Sequence, residues 1–297
     1  MQFRPEAQLS EQSRQGHLLI IGGSEDRHNG MQVLERFLDL AGGADKNIVV
    51  ITAASEIPAE VWEMYREAFT GLGVAHLAHV HLDSPKEADS EKVLAPIRDA
   101  AGIFMTGGAQ TRLLDMIGDT PLHAAIRTAY RENGACIAGT SAGASAMSHL
   151  MVAGGKADIE PEKGAIKLET GLGLVRHIIV DQHFAQRQRL PRLLSVVAEH
   201  QDLYGIGIDE DTGLVICPGV GIDVVGAGSV TVVDGTGMTS NIAEIDKHAV
   251  PRLIGVTLHL LPTGTKLRAE PAADADTDER VPEQLQDFFS ALIERDQ

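Results

Sequence analysis

The chain has 297 residues, 43% of them hydrophobic but only 4% aromatic, and a formal net charge of -17 from 42 acidic and 25 basic residues. A core built from Val, Ile, Leu and Ala suits buried parallel strands covered by helices. So acidic a surface repels a phosphate backbone, which excludes general nucleic-acid binding, and it favours a cationic ligand.

The first 16 residues are polar and are expected to be flexible; they contain no apolar stretch of the kind a signal peptide carries. Residues 17–23, HLLIIGG, read as a strand ending in a glycine turn, and 31–42 as a helix closed by glycine. The spacing then predicts strands over 47–55, 76–82, 102–108 and 135–141, alternating with helices over 59–73, 90–102 and 121–134, the second of these broken near Pro96. This alternation predicts an α/β fold: a doubly wound, mostly parallel sheet with helices on both faces. Ligands of such sheets bind beyond the carboxyl ends of the strands. Those ends read GGSED, TAAS, TGGAQ and GTSAGA, all rich in small residues.

The second half is less regular. Residues 177–184 read as a strand, 191–200 as a helix, and 204–211 and 213–219 as short strands. Residues 228–238 alternate and contain Asp234-Gly235, a hairpin signal, and 253–261 read as a strand closing the core. The stretch 269–280 is rich in Ala, Asp and Pro and reads as a linker, followed by a terminal helix over 282–294, docked or partner-bound. One α/β domain over 17–268 is expected. Cys136 and Cys217 make no disulfide framework, and no apolar run approaches the roughly 20 residues of a membrane span, so a cytoplasmic protein without membrane association is expected.

Gly139-Thr140-Ser141-Ala142-Gly143 matches the G-x-S-x-G pattern of a nucleophile elbow. There a serine occupies a strained turn between strand and helix, and small neighbours make room for the tight bend. A buried strand precedes this motif and the helix-compatible run ASAMSHLM follows it. The serine needs a base, and His183 stands out among 12 histidines because VDQHF ends an apolar strand with polar groups at its exit. An orienting acid is offered by Asp209, Glu210 and Asp211; spacing does not choose among them, although alternation points Glu210 away from the other two. His76, His79 and His81 raise the question of a metal, but only His79 and His81 share a strand face and no third ligand is placed, so neither metal nor cofactor is expected.

GTSAGA (139–144), DQHF with RQRLPR (181–192), GIGIDEDTG (205–213), IIGGSED and TGGAQTRL together resemble the cyanophycinase family, serine peptidases of family S51 related to peptidase E. The resemblance runs over roughly residues 16 to 268 and implies a fold like class I glutamine amidotransferase domains, flavodoxin-like in architecture. It implies Ser141 as nucleophile, His183 as base and Glu210 as orienting acid, with Ala142 and Gly108 N–H groups at the oxyanion. The substrate implied is cyanophycin, a poly-aspartate backbone carrying arginine on each β-carboxyl, cleaved exolytically to β-Asp-Arg dipeptides. Each unit carries a guanidinium and a free carboxylate. Arg187, Arg189 and Arg192 suit the carboxylates, while Gln110, Asp181 and Gln182 suit hydrogen bonds to the dipeptide. Glu25 and Asp26 are further candidates for the guanidinium. The family forms homodimers, and one is implied here.

Two positions depart from the family pattern: Ala109 replaces the aspartate of Gly-Gly-Asp-Gln, and Arg27 replaces a common lysine. The sequence also admits two other readings: a relative acting on Asp-X or isoaspartyl dipeptides, and a non-catalytic binder of arginine-rich polymer. A glutamine amidotransferase would carry cysteine at the elbow, whereas Cys136 lies five residues upstream.

Overall fold

Five aliphatic runs set the frame of the computed structural model, which describes residues 15–157, 159–271 and 279–294. Most of the expected flexible N-terminus and residues 272–278 of the expected linker lie outside the described residues. The first half runs β1 (Leu18–Ile21), α1 (Gln32–Leu40), β2 (Asn47–Ile51), α2 (Pro58–Gly71), β3 (His76–Val80), α3 (Glu91–Arg98), β4 (Gly102–Met105), α4 (Gln110–Ile117), α5 (Pro121–Arg131) and β5 (Cys136–Thr140). β1, β5, β4, β2 and β3 lie side by side in that order, all parallel. Successive side chains of a strand face opposite ways. Leu18, Ile20, Val49 and Ile51 therefore pack against α3, α4 and α5, while Leu19, Ile21, Ile48 and Val50 pack against α1 and α2.

The second half runs α6 (Ala142–Ala146), β6 (Leu150–Gly155), β7 (Ile166–Thr170), β8 (Ile178–Gln182), α7 (Leu190–Glu199), β9 (Tyr204–Ile208), β10 (Thr212–Cys217), β11 (Gly221–Gly226), β12 (Ser229–Asp234), β13 (Thr239–Ser240), β14 (Leu253–Ile254), β15 (Thr257–Pro262), β16 (Lys266–Arg268) and α8 (Gln286–Ile293). β10, β11 and β16 extend the main sheet antiparallel from β1, giving eight strands. A second sheet, ordered β15-β12-β9-β8, is parallel only between β8 and β9. Its Ile206, Ile208, Val230 and Val232 share one buried cluster with Leu214, Ile216, Ile222 and Val224 of the main sheet. The same cluster takes in Phe288, Phe289 and Leu292, so α8 is docked, with Phe288 edge-on to Tyr204 at 5.3 Å. The fold is α/β with helices on both faces of a mixed central sheet.

Several elements differ from the sequence reading. Pro96 does not break its helix; α3 runs through it and stops at Arg98. A helix, α4, follows TGGA directly, and ASAMSHLM divides between the one-turn α6 and the start of β6. β6 and β7 form an antiparallel hairpin with an irregularity between Val152 and Gly154. Asp234-Gly235 does not close a hairpin, because β12 pairs with β9 and β15 while β13 pairs with β14. The strand over 257–262 is an edge strand: Leu261 faces the core, but Leu258 and Leu260 are 51% and 66% exposed.

Candidate active site

Ser141 sits between the carboxyl end of β5 and the first residue of α6, with φ 52° and ψ -109°. A side-chain-bearing residue held there costs on the order of 1–3 kcal/mol, which the surroundings must over-determine. They do so by close approach. A Cβ on Gly139 would lie 2.4 Å from the Gly143 oxygen, and one on Gly143 would lie 2.4 Å from the Met105 oxygen. The two glycines of the motif are thus dictated by backbone contact.

The Ser141 hydroxyl is 3.0 Å from His183 Nε2, and His183 Nδ1 is 2.6 Å from Glu210 Oε1. A carboxylate only accepts, so the imidazole proton belongs on Nδ1 and Nε2 is left to accept from the hydroxyl. His183 is nearly buried, whereas the Glu210 side chain is 34% exposed. Burial pushes the imidazole below its ordinary pKa, and Arg187 adds to this; the hydrogen bond that His183 donates to Glu210 opposes it. The choice among the three acids is also visible. Asp209 accepts from the Ala185 N–H and from the Ser229 N–H and hydroxyl, and Asp211 accepts from the Asp26 N–H. Only Glu210 reaches the imidazole.

One short stretch clasps all three strand exits. The carbonyls of Ile21, Gly22 and Gly23 accept from the N–H groups of Ser141, His183 and Asp211 at 3.0, 2.8 and 2.9 Å. Gly23, with φ 101°, lies so close to the imidazole that a Cβ would fall 2.5 Å from His183 Nε2. The IIGG run therefore does more than end β1. Sequence reasoning missed this role, and it missed Gln186, whose side-chain oxygen accepts the Glu210 N–H at 3.1 Å.

Gly107 borders Ser141, since a Cβ there would lie 3.4 Å from Ser141 Cβ. Gly108 has φ 145° and approaches Ala54, whose oxygen accepts the Ala109 N–H at 2.9 Å. The N–H groups of Gly108 and Ala142 have no acceptor among the described residues. Gln110 begins α4 and donates to the Val152 oxygen at 3.1 Å, tying that helix to β6.

The polar residues after β8 fall into two groups. Asp181 is 1% exposed and turned inward: it accepts from Arg192 Nε at 2.7 Å, from Arg192 Nη2, and from Arg189 Nη1 at 3.1 Å. Gln182 is also buried and accepts from Arg189 through its side-chain oxygen at 2.9 Å. Asp181 and Gln182 therefore hold the two arginines in place, instead of facing a ligand directly as the sequence suggested. Burial, together with repulsion from Arg192 and Arg187, pushes Arg189 down to about 10 despite Asp181. Arg187 is exposed and has no carboxylate within 4.0 Å among the described residues.

Glu25 and Asp26 are not free for a guanidinium either. Glu25 is buried, accepting from Thr140 Oγ1 at 2.5 Å, from Arg27 at 3.3 Å and from the Tyr65 hydroxyl, so it braces the residue before Ser141. Asp26 accepts from the N–H groups of His28, Asn29, Gly30 and Met31, which hold its carboxylate well below the usual range. His79 and His81 do share a face, and both meet Thr52 Oγ1, at 2.8 and 3.2 Å, with Trp62 stacked on His79.

A hydroxyl, an imidazole and a carboxylate in line at strand exits of an α/β sheet make up the arrangement of serine-type hydrolases. Comparison with known proteins narrows the class. The family model for peptidase family S51 matches residues 18–221. The chain is 38% identical over 250 residues to the cyanophycinase of Trichormus variabilis, covering 84% of each chain. It is 37% identical over 250 residues to that of Geminocystis herdmanii, covering 84% of this chain and 92% of the relative. A crystal structure of a peptidase from an acI-B1 actinobacterium superposes with a TM-score of 0.62 at 24% identity, over 84% of this chain and 95% of that one, which shows the shared fold. The chain belongs to peptidase family S51 and is a serine-type peptidase.

Proposed function

We propose that the protein is an exopeptidase that hydrolyses the poly-aspartate backbone of cyanophycin to β-Asp-Arg dipeptides through an acyl-enzyme. The observation that carries this reading is the continuous chain from the Ser141 hydroxyl through His183 to Glu210, at 3.0 and 2.6 Å. Ser141 Oγ attacks a backbone carbonyl while Nε2 of His183 takes its proton. The Nδ1–H directed at Glu210 holds the tautomer and stabilises the imidazolium that forms. Ala142 and Gly108 donate their N–H groups to the oxyanion. His183 returns the proton to the departing amine, water enters, and the same steps in reverse sense release the product from Ser141.

The substrate assignment rests on the similarity to cyanophycinases together with the cations beside the triad. Arg187 contacts a substrate carboxylate directly. Arg189 and Arg192 face the substrate as a pair whose orientation Asp181 and Gln182 hold, and Gln110 supplies a hydrogen bond from α4. A cytoplasmic homodimer is part of the same proposal. Among the described residues no helix is long and apolar enough to cross a membrane.

Mass spectrometry of products from purified cyanophycin tests the reading, with Ser141→Ala as control and Asp-X and β-Asp-X dipeptides as parallel substrates. β-Asp-Arg from cyanophycin with the parent alone is the expected result. Turnover of dipeptides with none of the polymer would replace the proposal, and binding without turnover of either would leave a non-catalytic polymer binder.

A further inference from the structure

The residues after β1 hold the elbow by a side chain as well as by their carbonyls. Ile21 accepts the Ser141 N–H, and two residues beyond the glycines Glu25 turns its carboxylate under the end of β5. One of its oxygens accepts from Thr140 Oγ1 at 2.5 Å. The other accepts from the Tyr65 hydroxyl, on α2, and from Arg27 Nη1 at 3.3 Å. Glu25 is only 2% exposed, and a carboxylate so buried needs both a counter-charge and hydrogen-bond donors. Arg27 supplies the charge; it also donates to the Tyr65 hydroxyl at 3.4 Å and lies over that ring at 5.5 Å. Burial and the Glu25 anion push the Tyr65 phenol well above its ordinary pKa, so it stays a donor. Three elements distant in the chain thus converge on one carboxylate. Thr140, the residue it holds, is the last of β5 and stands directly before the strained Ser141. The five-residue α6 gives that turn little hold from its other side, since Ser141 makes no side-chain cap.

We propose that Glu25 is a positioning residue: by taking the Thr140 hydroxyl it fixes the turn in which the Ser141 hydroxyl meets His183 Nε2, and Tyr65 and Arg27 serve by holding Glu25. The proposal rests on Ser141 being the nucleophile, as proposed above. Glu25 acts through Thr140, because its hydrogen bonds go to Thr140, Tyr65 and Arg27. Slack at Thr140 passes straight to the next residue, where the hydroxyl must stay 3.0 Å from the imidazole. A misplacement of about 1 Å costs on the order of 10²-fold, and loss of one tie in a turn still held by Ile21 should cost part of that, about tenfold. The loss falls on kcat. KM is set by groups that hold the substrate elsewhere, so it should not move.

Thr140→Val is the first test, since it removes the hydroxyl at nearly constant volume and leaves Glu25 its other two donors. On cyanophycin it should lower kcat about tenfold with KM within about twofold, and it should slow fluorophosphonate labelling of Ser141 about tenfold. Thr140→Ser keeps the hydroxyl and should restore most of both. Glu25→Gln replaces one accepting oxygen by a donor and should also cost about tenfold. Both substitutions break the same bond, so the double variant should lose about tenfold, where independent effects would give about a hundredfold. All rates are read per folded molecule, well below the melting temperature of each variant. A role in stability alone would lower melting temperatures and leave those rates within twofold of the parent; that result, or a hundredfold loss in the double variant, would overturn the proposal. If Glu25→Gln does not fold, the valine and serine variants at Thr140 decide. A parent that takes no label on Ser141 would remove the nucleophile and this role with it, whereas a labelled parent matched by Thr140→Val overturns the positioning role alone.

Discussion

Replacing Gly23 by alanine tests how the base is placed. The new Cβ would lie 2.4 Å from His183 Cε1 and 2.5 Å from Nε2, against an ordinary carbon contact of roughly 3.5 Å. The ring must retreat by about 1 Å, and the 3.0 Å hydrogen bond to Ser141 does not survive that shift. A misplacement of about 1 Å in a catalytic group costs on the order of 10²-fold. At φ 101° the alanine is also strained, by about 1–3 kcal/mol. The expected result is a kcat about 10² below the parent in a protein that still folds, with a melting temperature lower by several degrees. Gly237→Ala is the control, since a Cβ there meets nothing within 4 Å; it should leave kcat unchanged. Steady-state kinetics with parallel melting curves reads both effects. A folded Gly23→Ala protein within threefold of the parent kcat would refute the placement of the imidazole against this glycine.

His183 must be neutral to accept a proton, so the rate falls as pH drops through its pKa. Burial lowers that pKa, so the acid limb of kcat/KM is expected below about 6.5. Arg187→Ala removes a cation that opposes the imidazolium and should move the limb upward; a downward move would contradict the assignment. Glu210→Gln leaves the imidazolium without its carboxylate and should lower kcat by roughly 10⁴, read under saturating substrate; a loss below tenfold would remove Glu210 from the mechanism. Ala109 is the N-cap of α4, in extended conformation and with no side-chain cap. Ala109→Asp should therefore stabilise the protein by about 1 kcal/mol, seen as a higher melting temperature with kcat little changed. A lower melting temperature would contradict the capping role.

The first half of the fold was legible because each buried strand is a short aliphatic run closed by small residues, as in HLLIIGG and NIVVITAAS. The hairpin of β6 and β7 was hidden because ASAMSHLM suits a helix locally, while tertiary pairing makes its last residues a strand. β11 carries a buried aspartate, Asp223, paired with Arg36 and Arg268 from distant elements, so its apolar signal is weak. At the site, the elbow could be read from Gly139 and Gly143, since both glycines are dictated by contacts within or beside the motif. The inward turn of Asp181 could not be, because only the return of the chain into α7 brings Arg189 and Arg192 onto it. The same holds for Glu25, whose partners Tyr65 and Thr140 lie 40 and 115 residues away. Ala109 stands where the family pattern has aspartate, and its place as N-cap, visible only in the fold, leaves α4 without a side-chain cap there.

Everything rests on a hydroxyl made nucleophilic by the imidazole next to it. Exposure to a fluorophosphonate followed by peptide mapping in the mass spectrometer addresses that hydroxyl directly. A single adduct on Ser141, formed far more slowly in His183→Ala, is the predicted outcome. An enzyme that turns over its substrate with Ser141 unmodified, or labels as fast without His183, would contradict it.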